Sequence, residues 1–275
     1  MACWALGRFA DGVEVAVEGR EVAEQLGDWY TVAHTESTLG QFCSLLGRFP
    51  EALEHLERAV GLQEELGVVG ARADSLTLLS TLFEQWGCFG LACEHARVAV
   101  ELHGGSGRGG SELVALTDLA FGLVGLGQFV EADGCLVRAR GLCDEGQDPR
   151  NVALVLALGA VVDDRLGRGS VWSEGMGRAL ELVGSGSSGL RRAKVENMAG
   201  RLRLRQGDAV AALALHRSAW EVASAIEYRV EVAYGLSGMA RAMVELGDVE
   251  GAGECAARAE ELFTAMGVPP ERRRS

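Results

Sequence analysis

Lys194, Asn197 and Arg201 are separated by three and four residues, so a helix carrying them presents all three on one face. Arg241 stands forty residues beyond Arg201, and Arg205 lies close by. A basic face that also offers an amide suits a carboxylate or an acidic peptide segment, because a guanidinium grips a carboxylate through two parallel hydrogen bonds. An ordinary solvated arginine face gives the same pattern in sequence. Lys194 is the only lysine in the chain.

Other chemistries find less support. Cys88, Cys93 and His95 do not follow a zinc-ligand spacing and read as scattered thiols and a helix-borne imidazole. The glycine-rich stretches at 104–110 and 184–189 neither follow a strand nor lead into Lys-Ser or Lys-Thr, which argues against a phosphate loop. No nucleophile-base-acid set or carboxylate pair stands out. The expectation is a chain with no catalytic residues, no metal ligands and no cofactor.

Composition narrows the partners. A net charge of −13 repels phosphate backbones and anionic lipid, which speaks against direct nucleic-acid or membrane binding. Seven cysteines without regular pairing suggest buried thiols in a reducing compartment. The N-terminus has neither a basic start nor an apolar signal core, and the apolar run at 152–162 is too short to span a bilayer. A cytoplasmic protein is expected.

The elements that must position these residues are set by a repeat. Glycine recurs at Gly7, Gly47, Gly87, Gly127, Gly167, Gly207 and Gly247, a period of forty residues without slippage. A fixed period of this size marks a stack of supersecondary units, each burying on its neighbour the apolar face it cannot cover alone. Around Gly47 the chain reads helix, tight turn, helix: Gly47 accepts a left-handed conformation, Pro50 fits a first turn, and Glu51 complements the helix dipole. Alanine fills five of seven positions five residues after each glycine and six of seven twelve after it. Positions fifteen after the glycine are all apolar, and those seven before it are all small. Hydrophobic content of 48% with only 6% aromatics fits close helix packing. First helices are expected near 29–46, 70–86, 111–126, 149–166, 189–206 and 228–246, and second helices near 10–26, 50–66, 90–103, 130–145, 170–184, 208–225 and 248–266.

This pattern resembles the tetratricopeptide repeat, which implies an all-α, right-handed α-solenoid of helical hairpins. The period departs from that family's usual length of about thirty-four residues. The glycine-rich stretches are the expected place for the extra residues, as flexible connectors. One solenoid of about six and a half hairpins is expected over 1–275, with 267–275 as a disordered tail. The resemblance also implies that first helices line a concave face that takes peptides. Carried over by repeat position, that face offers His34, Ser37, Gln41, Asp74, Thr77, Thr81, Glu84, Thr117, Asp118 and Phe121 from the N-terminal units. The C-terminal units offer Lys194, Asn197, Arg201, Tyr234, Ser237 and Arg241, with Arg205 beside them. The basic set is a loose analogue of the carboxylate clamp of chaperone-binding members, whose motif it does not reproduce.

The fifth unit breaks the pattern. Trp172 takes an alanine slot, Gly169 replaces the turn aromatic of Phe9, Phe49, Phe89 and Phe129, and Asp163 and Arg203 hold equivalent positions in which an ion pair is expected. A bend is expected at this unit. The opening unit lacks its first helix, which leaves an apolar face uncovered: either the chain is a piece of a longer protein, or that face pairs with another molecule, as in a homodimer. The segment from Ala257 to Pro269, with the use of Arg over Lys, resembles the C-terminal arrays of large bacterial transcription regulators of the actinobacterial antibiotic-regulator and maltose-regulator types. That likeness implies a non-catalytic protein- or peptide-binding array that senses an inducer or partner. A stand-alone adaptor, or the recognition array of a larger enzyme such as a repeat-fused protease, stays open.

Overall fold

Glycines with positive φ set the architecture. In the computed structural model, which describes residues 7–105, 109–143, 148–168, 172–184 and 189–273, all seven glycines of the ladder have φ between 67° and 85°. At Gly47 the amides fold back on the ending helix: Gly47 N–H donates to Ser44 O at 3.0 Å and Arg48 N–H to Cys43 O at 2.8 Å. These two bonds satisfy carbonyls that a helix end would otherwise leave bare, in a conformation that costs a side-chain-bearing residue about 1–2 kcal/mol.

Thirteen α-helices lie among the described residues, and no strand does. They are α1 Phe9–Leu26, α2 Trp29–Leu45, α3 Phe49–Glu65, α4 Val69–Gln85, α5 Phe89–Gly104, α6 Gly109–Gly125, α7 Phe129–Gly141, α8 Pro149–Arg165, α9 Trp172–Gly184, α10 Gly189–Arg205, α11 Ala209–Ala225, α12 Arg229–Leu246 and α13 Val249–Ala265. The fold is all-α and built from tetratricopeptide-like hairpins. Contacts group the chain into two compact units, one of residues 1–144 with 270–275 and one of residues 145–269. In the first, α2 pairs with α3, α4 with α5 and α6 with α7, while α2, α4 and α6 neighbour one another in sequence order. The second repeats this with α8 on α9, α10 on α11 and α12 on α13, and with α8, α10 and α12 adjacent in turn. Pro270–Arg272 form a 3₁₀ turn whose Arg272 guanidinium reaches Cys88 Sγ at 3.4 Å within the first unit.

A second ladder, missed in the sequence, lies halfway between the first. Gly27, Gly67 and Gly267 also have positive φ, and Glu227 holds the equivalent place at φ 54°, the one side-chain-bearing residue forced there among those described. Helices of seventeen residues joined by three-residue turns account for the forty-residue unit, as in α2, α3 and α4. The residues beyond the usual repeat length therefore extend the helices and do not form long connectors. Gly104, Gly109, Gly110, Gly184 and Gly189 are themselves helical. Residues 106–108 and 185–188, Gly169 and the Trp172 side chain lie outside the described residues.

The small slots pack as expected. Ala52, Ala92, Ala132 and Ala212 are fully buried, as are Ala59, Ala99, Ala139, Ala179 and Ala219. The aromatics that open α1 and α3 pack at the end of the first helix that follows: Phe9 meets Phe42 at 5.9 Å and Phe49 meets Trp86 at 5.8 Å between ring centres. The stripe fifteen after each glycine is not the deep one, since Val22 is 56% exposed and Leu62, Leu102 and Leu142 are half-buried. The deep position falls one residue later, at Ala23, Gln63, His103, Val183, Ala223 and Phe263. Two polar residues in that series hid it. The expected ion pair also fails: Asp163 accepts from Arg168 at 3.2 Å, while Arg203 donates to Gln206 at 3.3 Å. The bridge between α8 and α10 is Arg205 to Asp164 at 2.7 Å, one and two residues further along each helix.

Two glycines with open space around them separate backbone from packing effects. Gly127 sits at φ 73° and Gly134 inside α7, each with no atom within 4 Å of an added Cβ. Gly127→Ala is expected to lower stability by about 1–2 kcal/mol and Gly134→Ala to raise it by about 0.5–1 kcal/mol. Urea denaturation of the two variants reads the opposite signs.

Candidate functional site

The basic face of the second unit is organised around a buried imidazole that the sequence reading did not single out. His216 lies on α11 with 1% of its surface exposed, between Gly200 of α10 and Gly238 of α12. A methyl group on either glycine would overlap the ring, so both helices approach it through bare backbone. His216 Nδ1 lies 2.9 Å from Asn197 Oδ1, and Asn197 Nδ2 donates to Glu231 Oε2 at 2.8 Å and to Glu231 O at 3.1 Å. The Asn oxygen can only accept, so Nδ1 carries the hydrogen and Nε2 is left as an acceptor with no partner among the described residues. Burial, with the charges of Arg201 and Arg241 added to it, pushes the His216 pKa down to about 3. The imidazole is neutral at physiological pH.

That electrostatic coupling locates the two arginines. Arg201 comes from α10 and Arg241 from α12, two helices in contact, and the charges of both bear on the His216 ring. Arg241 is exposed and Arg201 half-buried. The other members of the set are placed differently. Asn197 is 2% exposed and committed to His216 and Glu231. Lys194 is 8% exposed, and Tyr234 packs its ring edge-on against Phe263 at 5.1 Å. Arg205 is held by Asp164. Ser237 is half-buried.

In the first unit the residues assigned to a groove bond partly to one another and partly to the helices around them. Thr81 donates to Asp118 at 2.8 Å and to Thr77 O at 3.2 Å, and Thr77 turns back to Ala73 O at 3.0 Å. Asp74 Oδ1 lies 3.5 Å from Nε2 of the buried His103, and Phe121 is buried. Ser37 and Ser75 share a hydrogen bond of 2.7 Å between α2 and α4, and Gln63 adds one to Ser37 at 3.2 Å. His34 and Asp74 are exposed, and Gln41 is half-buried.

A second polar centre lies between α2 and α3, around Glu36. This carboxylate, with no exposed surface, takes Arg58 at 2.6 Å, His55 Nδ1 at 2.6 Å and Arg20 at 3.5 Å. Burial pushes its pKa up, but the His55 hydrogen bond and the Arg58, His55 and Arg20 charges outweigh that and hold it below the usual carboxylate range. Cys88, Cys93 and His95 do not form a cluster that could hold a metal; His95 instead stacks on Phe83 at 5.3 Å. Burial pushes the Cys93 thiol to about 11 and the Cys43 thiol to about 12. The cysteines among the described residues form no disulfide, and of them Cys43 and Cys93 are fully buried. No described helix is long and apolar enough to cross a membrane.

The tetratricopeptide-repeat family model matches residues 33–58, the hairpin around Gly47. None of the curated proteins matches the sequence. Among solved structures, a Rap protein complexed with competence and sporulation factor superposes with a TM-score of 0.78 at 13% identity, covering 99% of this chain and 74% of that one. The apo form of the quorum sensor NprR from B. thuringiensis gives 0.57 at 12% identity, over 91% and 82% of the two chains. Aspartyl phosphate phosphatase F from Bacillus subtilis gives 0.55 at 11% identity, over 90% and 75%. These likenesses establish the fold.

The buried imidazole has a pH signature. An unfolded chain protonates His216 near 6.5, whereas the folded protein resists until about 3, so acid favours unfolding across that interval. Between pH 6.5 and 4.5 the loss from this group approaches ~1.4 kcal/mol per pH unit. His216→Gln is expected to flatten the slope of unfolding free energy against pH by about one proton, whatever its effect on absolute stability. Urea titrations at pH steps across the interval measure that slope.

Proposed function

We propose that the chain is a protein- or peptide-binding module, in which Arg201 and Arg241 hold a carboxylate or acidic segment of the partner. The observation that carries this reading is that α10 and α12 pack together and carry Arg201 and Arg241 at equivalent repeat positions, with both charges bearing on the one buried imidazole of His216. Two such arginines would set a local positive charge against the net charge of −13. Asn197 on α10 bonds to His216 on α11 and to Glu231 on α12, which ties the helices that carry the two cations. Cations carried on helices tied in this way lose less freedom on binding.

The structural neighbours support a binding role by analogy, since one was solved in complex with a factor and another is a quorum sensor. The phosphatase among them shows that the scaffold also serves chemistry, so the reading rests on the site and not on the fold. The likeness of residues 257–269 to regulator arrays favours the sensor or partner-binding region of a bacterial transcription regulator.

A synthetic peptide array with acidic sequences, each with a free and an amidated C-terminus, tests the site. Wild-type protein is expected to prefer acidic peptides, with affinity falling as salt rises. The Arg201→Glu, Arg241→Glu double variant is expected to lose at least about tenfold in affinity, or roughly 1.4 kcal/mol. Binding that is indifferent to the reversal would overturn the proposal.

A further inference from the structure

A metal-binding arrangement lies in the hairpin of α2 and α3, within the first unit. Cys43 near the end of α2, and Glu51 and His55 on α3, each bring one ligand atom within 4.8 Å of the other two. Glu51 and His55 are four residues apart, one helical turn, and therefore share a face. The hairpin turn at Gly47 folds that face against Cys43. We propose that these three side chains bind a thiophilic divalent cation of the zinc class, with a further coordination position open to solvent.

The surroundings of His55 supply the strongest argument. Its Nδ1 is committed to Glu36 Oε2 at 2.6 Å, which leaves Nε2 as the nitrogen with a lone pair to give. A carboxylate behind a histidine in this way is the usual means of fixing the tautomer and orientation of a metal-bound imidazole. Glu36 is itself anchored by Arg58 at 2.6 Å and Arg20 at 3.5 Å, so the imidazole is aimed by a held group. Access is graded: Cys43 has no exposed surface, while the side chains of His55 and Glu51 are 18% and 45% exposed. An ion would arrive at Glu51, whose existing pairing with Arg48 is exposed and 3.9 Å long, and settle on the thiol.

The next hairpin provides an internal comparison. His95 occupies the place of His55, but Phe83 stands for Cys43 and Leu91 for Glu51, and the ring is satisfied by stacking on Phe83. A histidine at this position needs no ligand; the sulfur and carboxylate belong to the one unit that also carries Glu36 on His55. The mixed sulfur, nitrogen and oxygen set suits zinc over calcium or magnesium, which prefer oxygen alone. On binding, the Cys43 S–H bond breaks, its proton leaves to solvent and a sulfur–metal bond forms. Thiolate and carboxylate together then neutralise the dication.

Titration of the full chain with Co²⁺ tests this directly. One equivalent is expected to bind with a thiolate-to-cobalt charge-transfer band and to be displaced by Zn²⁺. Cys43→Ser should abolish the band, whereas Cys93→Ser and Cys135→Ser should retain it, with far-ultraviolet circular dichroism confirming that each variant is helical. Glu36→Gln should keep the band and weaken Co²⁺ binding about 10- to 100-fold. A wild-type titration with no thiolate band, or a band that survives Cys43→Ser, would overturn the site.

Discussion

The left-handed residue in the short turns that join the helices, among the described residues, is the constraint on which the rest of this structure depends. Because a turn of three residues follows each helix of seventeen, as from α2 to α4, residues some forty apart come to lie on adjacent first helices. Several hydrogen bonds between first helices keep close to that separation, Ser44 to Gln85, Thr81 to Asp118, Arg191 to Asn151 and Arg205 to Asp164, while Asn197 to Glu231 spans thirty-four. Tertiary contact is thus dictated by local backbone geometry, as expected for a stack in which each unit touches only its neighbours. The alanine slots then let second helices close on the first at short range, and the polar pairs select the rotation of one against the next.

Much of this was legible in the chain. The helix limits fall close to those expected, because glycine at a left-handed position is a local requirement that the sequence must display. What escaped is rotational phase. Successive helical residues differ by about 100° around the axis, so an error of one residue moves a side chain from core to rim. The deep stripe lies one residue beyond the expected position because Gln63 and His103 interrupt its apolar pattern. The bridge between α8 and α10 joins Asp164 and Arg205, where repeat counting had paired Asp163 and Arg203. Repeat alignment places residues at equivalent heights without saying which neighbours each will face.

The same limit explains the candidate site. Repeat position put Arg201 and Arg241 on successive first helices that pack together, yet it also put Asn197 on the binding face when its amide is spent on His216 and Glu231. Histidine on a second helix, facing inward, carries no signal of its own in sequence. The sign was in the glycines: Gly200 and Gly238 flank the ring, and small residues on two successive first helices leave a volume that something on the intervening second helix must fill.

The two units answer the problem of buried polarity in opposite ways. Around Glu36 a buried anion is kept charged by surrounding cations, which makes the centre tolerant of losing no partner, since an unpaired carboxylate there would be strongly destabilising. Around His216 a buried base is kept neutral first by burial and further by the charges of Arg201 and Arg241. A charged imidazole would stand desolvated and add a third positive charge to theirs. The arginines and the imidazole are thereby coupled, with Glu231 as the charge that opposes them by favouring protonation. An anion held by the two guanidiniums would weaken their share of the effect, so binding at this face and protonation of the ring are coupled in sign, each favouring the other, while burial keeps the ring neutral.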